Sequence, residues 1–328
     1  MVYRFKRFLG GAFFCLLLLL PAGAKSFALD RKESSVLSHF IMAAMNDSLG
    51  KLDEAVDEYK KALKLDFKNP VIHLNLASCY IRKNDINKAT EELGLAVNFD
   101  PEAIEPHAIL GLLYSLQNKP DEANREYEIA LQNASKLEPK NVNIYKTLGA
   151  LYLGQKKFDS AQNVYHMILN LYPKDAEAHF YLGSIYYEQR KLDLAESELK
   201  EAVKLNPDFH EALNYLGYFY VEENKHLDVA ENMIKKAIEK DPDNGAYIDS
   251  IGWLYYKKGR MREARKELEK AAGLLEDPVI FDHLGDVCSK AGDLESARLN
   301  WEKSLKLDPE QADVKKKIGD LNKAGAAK

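Results

Sequence analysis

The sequence predicts an all-α solenoid of about eight helix-turn-helix units closed by a C-terminal capping helix, and three observations carry that prediction. Small residues recur at Ala43, Ala77, Gly111, Gly149, Gly183, Gly217, Gly252 and Gly285, 33 to 38 residues apart, which marks an internal repeat. Within a unit, two segments carry apolar residues three and four apart, as in HFYLGSIYYEQ followed by LDLAESELKEAVKL, with a short polar turn between them. A proline then closes many of the units, at Pro101, Pro139, Pro173, Pro207, Pro242 and Pro309.

Composition bounds the function. Over 328 residues, 46% hydrophobic and 30% charged side chains supply both a core and a soluble surface, unlike a disordered chain or a membrane bundle. The formal charge is −5, with 51 acidic against 46 basic residues. No overall positive field is available to hold a phosphate backbone, so nucleic acid is not an expected partner. Three cysteines are too few for a disulfide-held secreted fold, and Cys79 and Cys288 lie in apolar settings that suit small core residues.

The first element from the N-terminus is a secretory signal over residues 1–24. Arg4, Lys6 and Arg7 begin it, an apolar run extends from Phe8 through CLLLLLP, and Ala22-Gly23-Ala24 has the small-x-small form of a cleavage site. The run matches a signal core and is short for a bilayer span, which makes an uncleaved anchor the weaker alternative. Cys15 precedes the leucines, whereas a lipidated cysteine would follow them behind small residues, so no lipid is expected. Loss of the segment removes three positive charges and moves the net charge from −5 to −8. Residues 25–34 read as a short linker, 35–311 as the repeat array and 312–328 as a capping helix with its tail.

Within each unit, the first helix carries the small residue and the second carries an alanine twelve positions on: Ala55, Ala89, Ala123, Ala161, Ala195, Ala264 and Ala297, with Ala230 displaced by one. Together they let the two backbones approach closely. A large side chain there would overpack the contact at a cost of roughly 1–3 kcal/mol. Proline ends the second helix because it lacks an N–H and clashes with the preceding turn. The end of a stacked array needs a polar outer face. ADVKKKIGDLNK supplies one, with Val314, Ile318 and Leu321 on one helical stripe and lysines around the rest.

Two clusters invite a chemical reading. Asp249, Ser250 and His283 are the residue types of a hydrolase: a hydroxyl, a base to take its proton and a carboxylate to orient the base. Yet Ser250 and His283 each stand two residues before the small residue of their unit, IDSIG lacks the Gly-x-Ser-x-Gly form of a strained nucleophile, and nothing supplies an oxyanion hole. The repeat accounts for these residues, and no catalytic residue is expected. His39, His73, His107 and His179 each stand four residues before a small residue. Successive members lie one repeat apart, too far to share a zinc ion with ligands at about 2.0–2.1 Å, so they read as a ladder of packing side chains. No metal or other cofactor is expected.

The small residue, the later alanine and an aromatic three after the small residue (Tyr80, Tyr114, Tyr152, Tyr186, Tyr220 and Tyr255) resemble the tetratricopeptide repeat over about Ser35 to Gln311. The resemblance implies a right-handed α-solenoid whose first helices line a concave groove that binds peptides or protein segments. It also implies that groove residues stand three before and one, four and five after the small residue. Those offsets select Lys146 in the fourth unit, Phe180, Tyr187 and Glu188 in the fifth, and Asn214, Tyr218 and Glu222 in the sixth. They add Asp249, Trp253 and Tyr256 in the seventh and Asp282 and Asp286 in the eighth. Aromatic rings edged with carboxylates suit a basic or amine-bearing segment, the rings anchoring it and the carboxylates steering it. An acidic groove holding only Lys146 is unlike the Lys-, Arg- and Asn-lined clamp with which some family members hold chaperone tails.

A narrower resemblance, carried by Asp249-Ser250-x-Gly-Trp253 and His283-Leu284-Gly285, is to bacterial envelope proteins of this family, including outer-membrane adaptors that activate carboxyl-terminal processing proteases. The expected protein is an exported, non-catalytic scaffold or adaptor of the periplasm or cell envelope, reaching a membrane only through its partner or an uncleaved signal. Its expected partner is a protein or peptide, such as an envelope protease. The alternative is a scaffold for assembling envelope polysaccharide or outer-membrane complexes, and a hydrolase built on Ser250, His283 and Asp249 is the distant one.

Overall fold

Seventeen α-helices and no strand occur in residues 30–326, the part of the chain that the computed structural model describes. Sixteen of them make eight helical hairpins, one per sequence unit. They are α1 (Arg31–Ser48) with α2 (Leu52–Leu65), α3 (Pro70–Arg82) with α4 (Ile86–Phe99), α5 (Ile104–Leu116) with α6 (Pro120–Leu137), and α7 (Val142–Gly154) with α8 (Phe158–Leu171). Then come α9 (Ala176–Glu188) with α10 (Leu192–Leu205), α11 (His210–Glu222) with α12 (Leu227–Lys240), α13 (Gly245–Lys257) with α14 (Met261–Leu274), and α15 (Pro278–Lys290) with α16 (Leu294–Leu307). Helix α17 (Ala312–Ala326) follows alone. The chain forms two compact units, one ending at Ala130 and one beginning at Leu131. Helix α1 starts at Arg31, so residues 31–34, read above as linker, are helical. The signal segment of residues 1–24, with Cys15, lies outside the described residues, as does 25–29.

The hairpins close where the small residues stand. A Cβ built on Gly183 would meet Leu199 Cγ at 2.7 Å, and one built on Gly149 would meet the Tyr165 ring at 2.7 Å. Both neighbours stand sixteen residues on, in the second helix of the same hairpin. In the first unit the core gathers Ala43, Ala55, Tyr59, Leu76, Cys79 and Leu93. In the second it runs from Tyr145 and Tyr165 through Leu199, Phe219 and Leu254 to Trp301 and Val314. Cys79 and Cys288 are both buried free thiols within these cores.

The turns share a feature absent from the sequence reading. Seven residues after each small residue the backbone turns left-handed, at Gly50, Asn84, Asn118, Lys156, Arg190, Asn224, Gly259 and Gly292. The next N–H then reaches back to a carbonyl five residues earlier, as Lys157 does to Tyr152 (2.9 Å) and Lys191 to Tyr186 (2.8 Å), satisfying the end of the first helix. The repeat's tyrosine is thus the residue whose carbonyl accepts, and the donor's own cation lies over its ring: Lys119 over Tyr114, Lys191 over Tyr186 and Arg260 over Tyr255 at 5.7, 5.7 and 4.0 Å.

Two irregular spacings have simple causes. The 38-residue step from Gly111 to Gly149 comes from α6, which has 18 residues where every other second helix has 14, an insertion of one helical turn. The displaced Ala230 follows from a second left-handed residue, His226 (φ 51°), in the turn before α12. Each closing proline follows the last helical carbonyls directly. Pro70 and Pro278, by contrast, open helices, where a missing N–H costs nothing.

Candidate functional site

In the second compact unit, the first helices α9, α11, α13 and α15 place the expected groove residues on one connected face. Phe180 packs edge-on against Phe209 (5.1 Å) and Tyr215 (5.7 Å), and Tyr187 against Tyr215 (6.0 Å) and Phe219 (5.9 Å). Each ring therefore bridges to the next repeat while staying half-buried, and Glu188 beside it is exposed. Asn214 and Tyr218 follow one turn apart on α11. The Asn214 Oδ1 is buried without a hydrogen-bond partner. Burial, with the charges of Glu222 and Asp249 close by, raises the Tyr218 phenol well above its ordinary value, so it stays a neutral donor.

Trp253 and Asp249 take a different place from the one expected. As a partner's anchor and steering charge they would have to be accessible, but they are 8% and 6% exposed. The Trp253 ring is stacked between His283 (4.0 Å, 9° between planes) and Tyr256 (4.6 Å, 6°), and its indole N–H donates to Glu222 Oε1 at 2.6 Å. Asp249 accepts from His283 Nδ1 at 2.9 and 3.1 Å across the seventh and eighth repeats. Burial works against protonation of His283, but the charge and hydrogen bond of Asp249, with the charges of Asp282 and Glu222, outweigh it and raise its pKa. A hydrolase reading gains two of its three members here. The third faces elsewhere: the Ser250 hydroxyl donates to the Ala246 carbonyl at 2.9 Å on its own helix.

The remaining carboxylates are held from within the chain. Lys317 of the capping helix reaches both Asp282 and Asp286 at 2.7 Å, and Asp286 also accepts from the Trp301 indole at 3.1 Å. Burial raises the Asp282 pKa against the pull of Lys317. A lysine expected to face solvent is thus an internal counter-ion, beside an open cleft lined by Tyr256, Asp286, Trp301, Lys317 and Asp320. Lys146, likewise, is paired with Asp175 (3.0 Å) and Glu177 (2.6 Å) of the next repeat. Of the expected set, only Asp249 and Trp253 are buried; Glu188 is exposed, and Lys146, Phe180, Tyr187, Asn214, Tyr218, Glu222, Tyr256, Asp282 and Asp286 are partly buried. Sequence reasoning missed Phe209, Tyr215, Phe219 and Lys317, whose offsets fall outside those four groove positions.

The histidine ladder is a set of intra-hairpin bonds. His39, His73, His107 and His179 pair through Nδ1 with Glu58, Glu92, Glu126 and Glu198 at 2.6–2.7 Å, each glutamate nineteen residues on. The other ring nitrogen of His73, His107 and His179 meets the carbonyl of Phe67, Pro101 or Pro173 in the preceding turn. Tyr145 takes the same post in the fourth repeat, bonding Pro139. The recurrent nineteen-residue spacing to a glutamate was visible in the sequence and would have identified these pairs.

Residues 103–320 match the family model described as the C-terminal domain of cilia and flagella-associated protein 70, and residues 48–113 match the tetratricopeptide repeat model. RNA polymerase II-associated protein 3 of Homo sapiens is 35% identical over 92 residues, 28% of this chain and 13% of that protein. An uncharacterized protein of Haemophilus influenzae is 31% identical over 97 residues, 30% of this chain and 52% of that protein. The similarity thus spans about half the length of one relative and far less of the other. A solved tetratricopeptide repeat protein from Parabacteroides merdae has the same fold, with a TM-score of 0.57 at 20% identity over 75% of this chain and 96% of that one.

Proposed function

The chain belongs to the tetratricopeptide repeat proteins, in the family represented by the C-terminal domain of cilia and flagella-associated protein 70, and from that premise we propose that it is a non-catalytic scaffold that binds a protein segment on the first-helix face of its last repeats. The observation that carries the reading is the row of rings Phe180, Tyr187, Tyr218 and Tyr256, each packed against the core of the second compact unit and each only partly buried. Rigid aromatic area of this kind loses little entropy on binding and supplies anchors. Trp253, Asp249 and His283 form the floor beneath it. The exposed Glu188 and the partly buried Glu222 give the face its acceptor character, which suits a segment carrying amide, amine or guanidinium donors.

Export to the periplasm or cell envelope is part of this reading and rests on the basic, apolar and small-residue pattern of residues 1–24. Within the envelope, an adaptor for a carboxyl-terminal processing protease is favoured by the run that includes Asp249-Ser250-x-Gly-Trp253 and His283-Leu284-Gly285. A scaffold for envelope polysaccharide or outer-membrane assembly is the second reading, and the partner that co-purifies from membranes separates the two. The test of the binding face is affinity capture of the partner by the wild type, Tyr218→Ala and Glu188→Lys, with helical content checked for each. Tyr218→Ala is expected to weaken capture roughly tenfold or more, mainly through faster dissociation, and Glu188→Lys to slow association in a salt-dependent way. Unchanged affinity in both folded variants would remove the face from the account.

A further inference from the structure

Helix α17 takes the place of a ninth first helix, because Gly319 follows Gly285 by 34 residues. That register assigns a post to Lys317. Along the stack, the residue two before one small residue closes the residue three before the preceding one: Tyr215 packs on Phe180 at 5.7 Å, and His283 bonds Asp249 at 2.9 Å. Lys317 does the same to Asp282 at 2.7 Å and reaches Asp286 as well, also at 2.7 Å. Its ammonium lies 6.0 Å from the centre of the Trp301 ring, and Tyr256 lines the same open cleft of about 460 Å³. Two carboxylates and an indole around one nitrogen are the chemistry that recognises an ammonium ion.

We propose that Asp282, Asp286, Trp301 and Tyr256 form a binding site for a lysine side chain of the partner segment, and that Lys317 is its intramolecular occupant, displaced when the segment binds. The site extends the binding face proposed above and depends on that reading, since Asp282 and Asp286 are the eighth-repeat members of the face. Lys317 differs from the other closing side chains in being able to leave. His283 is 6% exposed and stacked on Trp253, whereas the Lys317 side chain is 28% exposed and sits on a flexible four-carbon stem. It swings into solvent while Val314, buried on the core, keeps α17 in place.

Burial makes this an exchange of one cation for another. Desolvation works against the charge of Asp282, so a departing lysine has to be replaced and the site is not left empty. A nitrogen 2.7 Å from both carboxylates is a point donor, which suits an ammonium better than the broad, planar guanidinium. The tether also makes the site selective. A lysine held beside its site by a short flexible link competes at an effective concentration of about millimolar order, which excludes stray cations. A segment already anchored on Tyr187 and Tyr218 brings its own lysine at a comparable concentration and can take the site.

The test is calorimetric titration of the purified full chain with tetralysine, its ends acetylated and amidated. Lys317→Met should bind it roughly tenfold or more tightly than the wild type does, because the tethered competitor is gone. Lys316→Met, which removes the same charge from an exposed position, should not. Asp282→Asn with Asp286→Asn in the Lys317→Met chain should abolish the gain, and tetraarginine of equal charge should gain less than tetralysine. Helical content is checked for each chain, and Lys317→Gln, which keeps an amide donor beside the carboxylates, takes the place of Lys317→Met if that variant unfolds. An affinity that the Lys317 variant leaves at the wild-type value overturns the proposal, as does a gain that Lys316→Met shares, that survives both asparagines or that tetraarginine matches. Partner capture by Tyr218→Ala and Glu188→Lys is read separately, so the binding face can hold while this site fails.

Discussion

Two kinds of residue hold the second compact unit together in opposite ways, through the space they leave empty and through the charge they bury. Gly183 belongs to the first kind. With Leu199 Cγ 2.7 Å from where a Cβ would stand, Gly183→Val must push the hairpin apart, at a cost of roughly 1–3 kcal/mol. Gly94 is a control, because nothing lies within 4 Å of its Cβ position in the middle of α4. Gly94→Ala should stabilise by about 0.5–1 kcal/mol, and urea midpoints of the two variants should move in opposite directions. The second kind is the pair Asp249 and His283. Asp249→Ala leaves an imidazole buried without its partner and should cost on the order of 3 kcal/mol or more. His283 binds a proton more readily in the folded chain than its ordinary value of 6.5 allows. Its contribution is therefore complete below that unfolded value and is lost as pH rises through the higher folded one. The advantage of the wild type over Asp249→Ala in urea should shrink as pH rises above the ordinary value of 6.5 and through the raised folded one; a difference independent of pH would show that the pair adds no charge-dependent stability.

At the scale of the element, the hairpin turn sets where the second helix begins. All eight hairpins place a left-handed residue seven after the small residue, filled by glycine at Gly50, Gly259 and Gly292, by asparagine at Asn84, Asn118 and Asn224, and by Lys156 and Arg190 in the other two. A lysine there holds a conformation that its Cβ disfavours by roughly 1–2 kcal/mol, which the bonded turn and the packing of both helices maintain. Lys156→Gly should therefore raise stability by about 0.5–1 kcal/mol, while Gly259→Val, with φ near +76°, should lower it by more than 1 kcal/mol. Thermal melts of the two single variants check this, and a destabilised Lys156→Gly would mean that the side chain contributes more than the strain it imposes. The same turn explains why the repeat keeps a tyrosine and a cation five residues apart, as in Tyr255 and Arg260. One residue accepts the turn's hydrogen bond through its carbonyl, and the other donates it while covering the ring.

At the scale of the whole molecule, the array depends on how its last repeat ends. Helix α17 lays Val314, 1% exposed, with Ile318 and Leu321, on the core of the second compact unit, and Lys317 neutralises Asp282 and Asp286. Removing residues 312–328 would expose that apolar surface and leave two neighbouring carboxylates, one of them mostly buried, without their cation. The truncated chain should melt at lower temperature and associate at concentrations where the full chain does not, with the loss partly restored by added salt. A truncation as stable as the full chain would mean that α17 is not a cap. Lys317→Met separates the two contributions, since it keeps the apolar stem and removes only the charge.

The fold class, the eight units, the close contacts at Gly183 and its equivalents, and the capping helix were all legible in the sequence. Each follows from a local rule that repeats: a small residue where backbones meet, apolar residues three and four apart, a proline where a helix must stop. The two irregular spacings were legible as numbers only, because an inserted turn in α6 and a second left-handed residue at His226 both look like extra residues until the backbone is seen. The composition of the candidate face was legible as well, but not which of its members are free. Whether Asp249 faces solvent or His283, whether Trp253 is an anchor or a floor, and whether Lys317 points outward or into two carboxylates depends on side chains 31 to 35 residues away in sequence that stacking brings within hydrogen-bond reach. Offsets within a repeat assign a residue to a face; only the contact with the neighbouring repeat decides whether its charge and its ring are already spent on holding the array together.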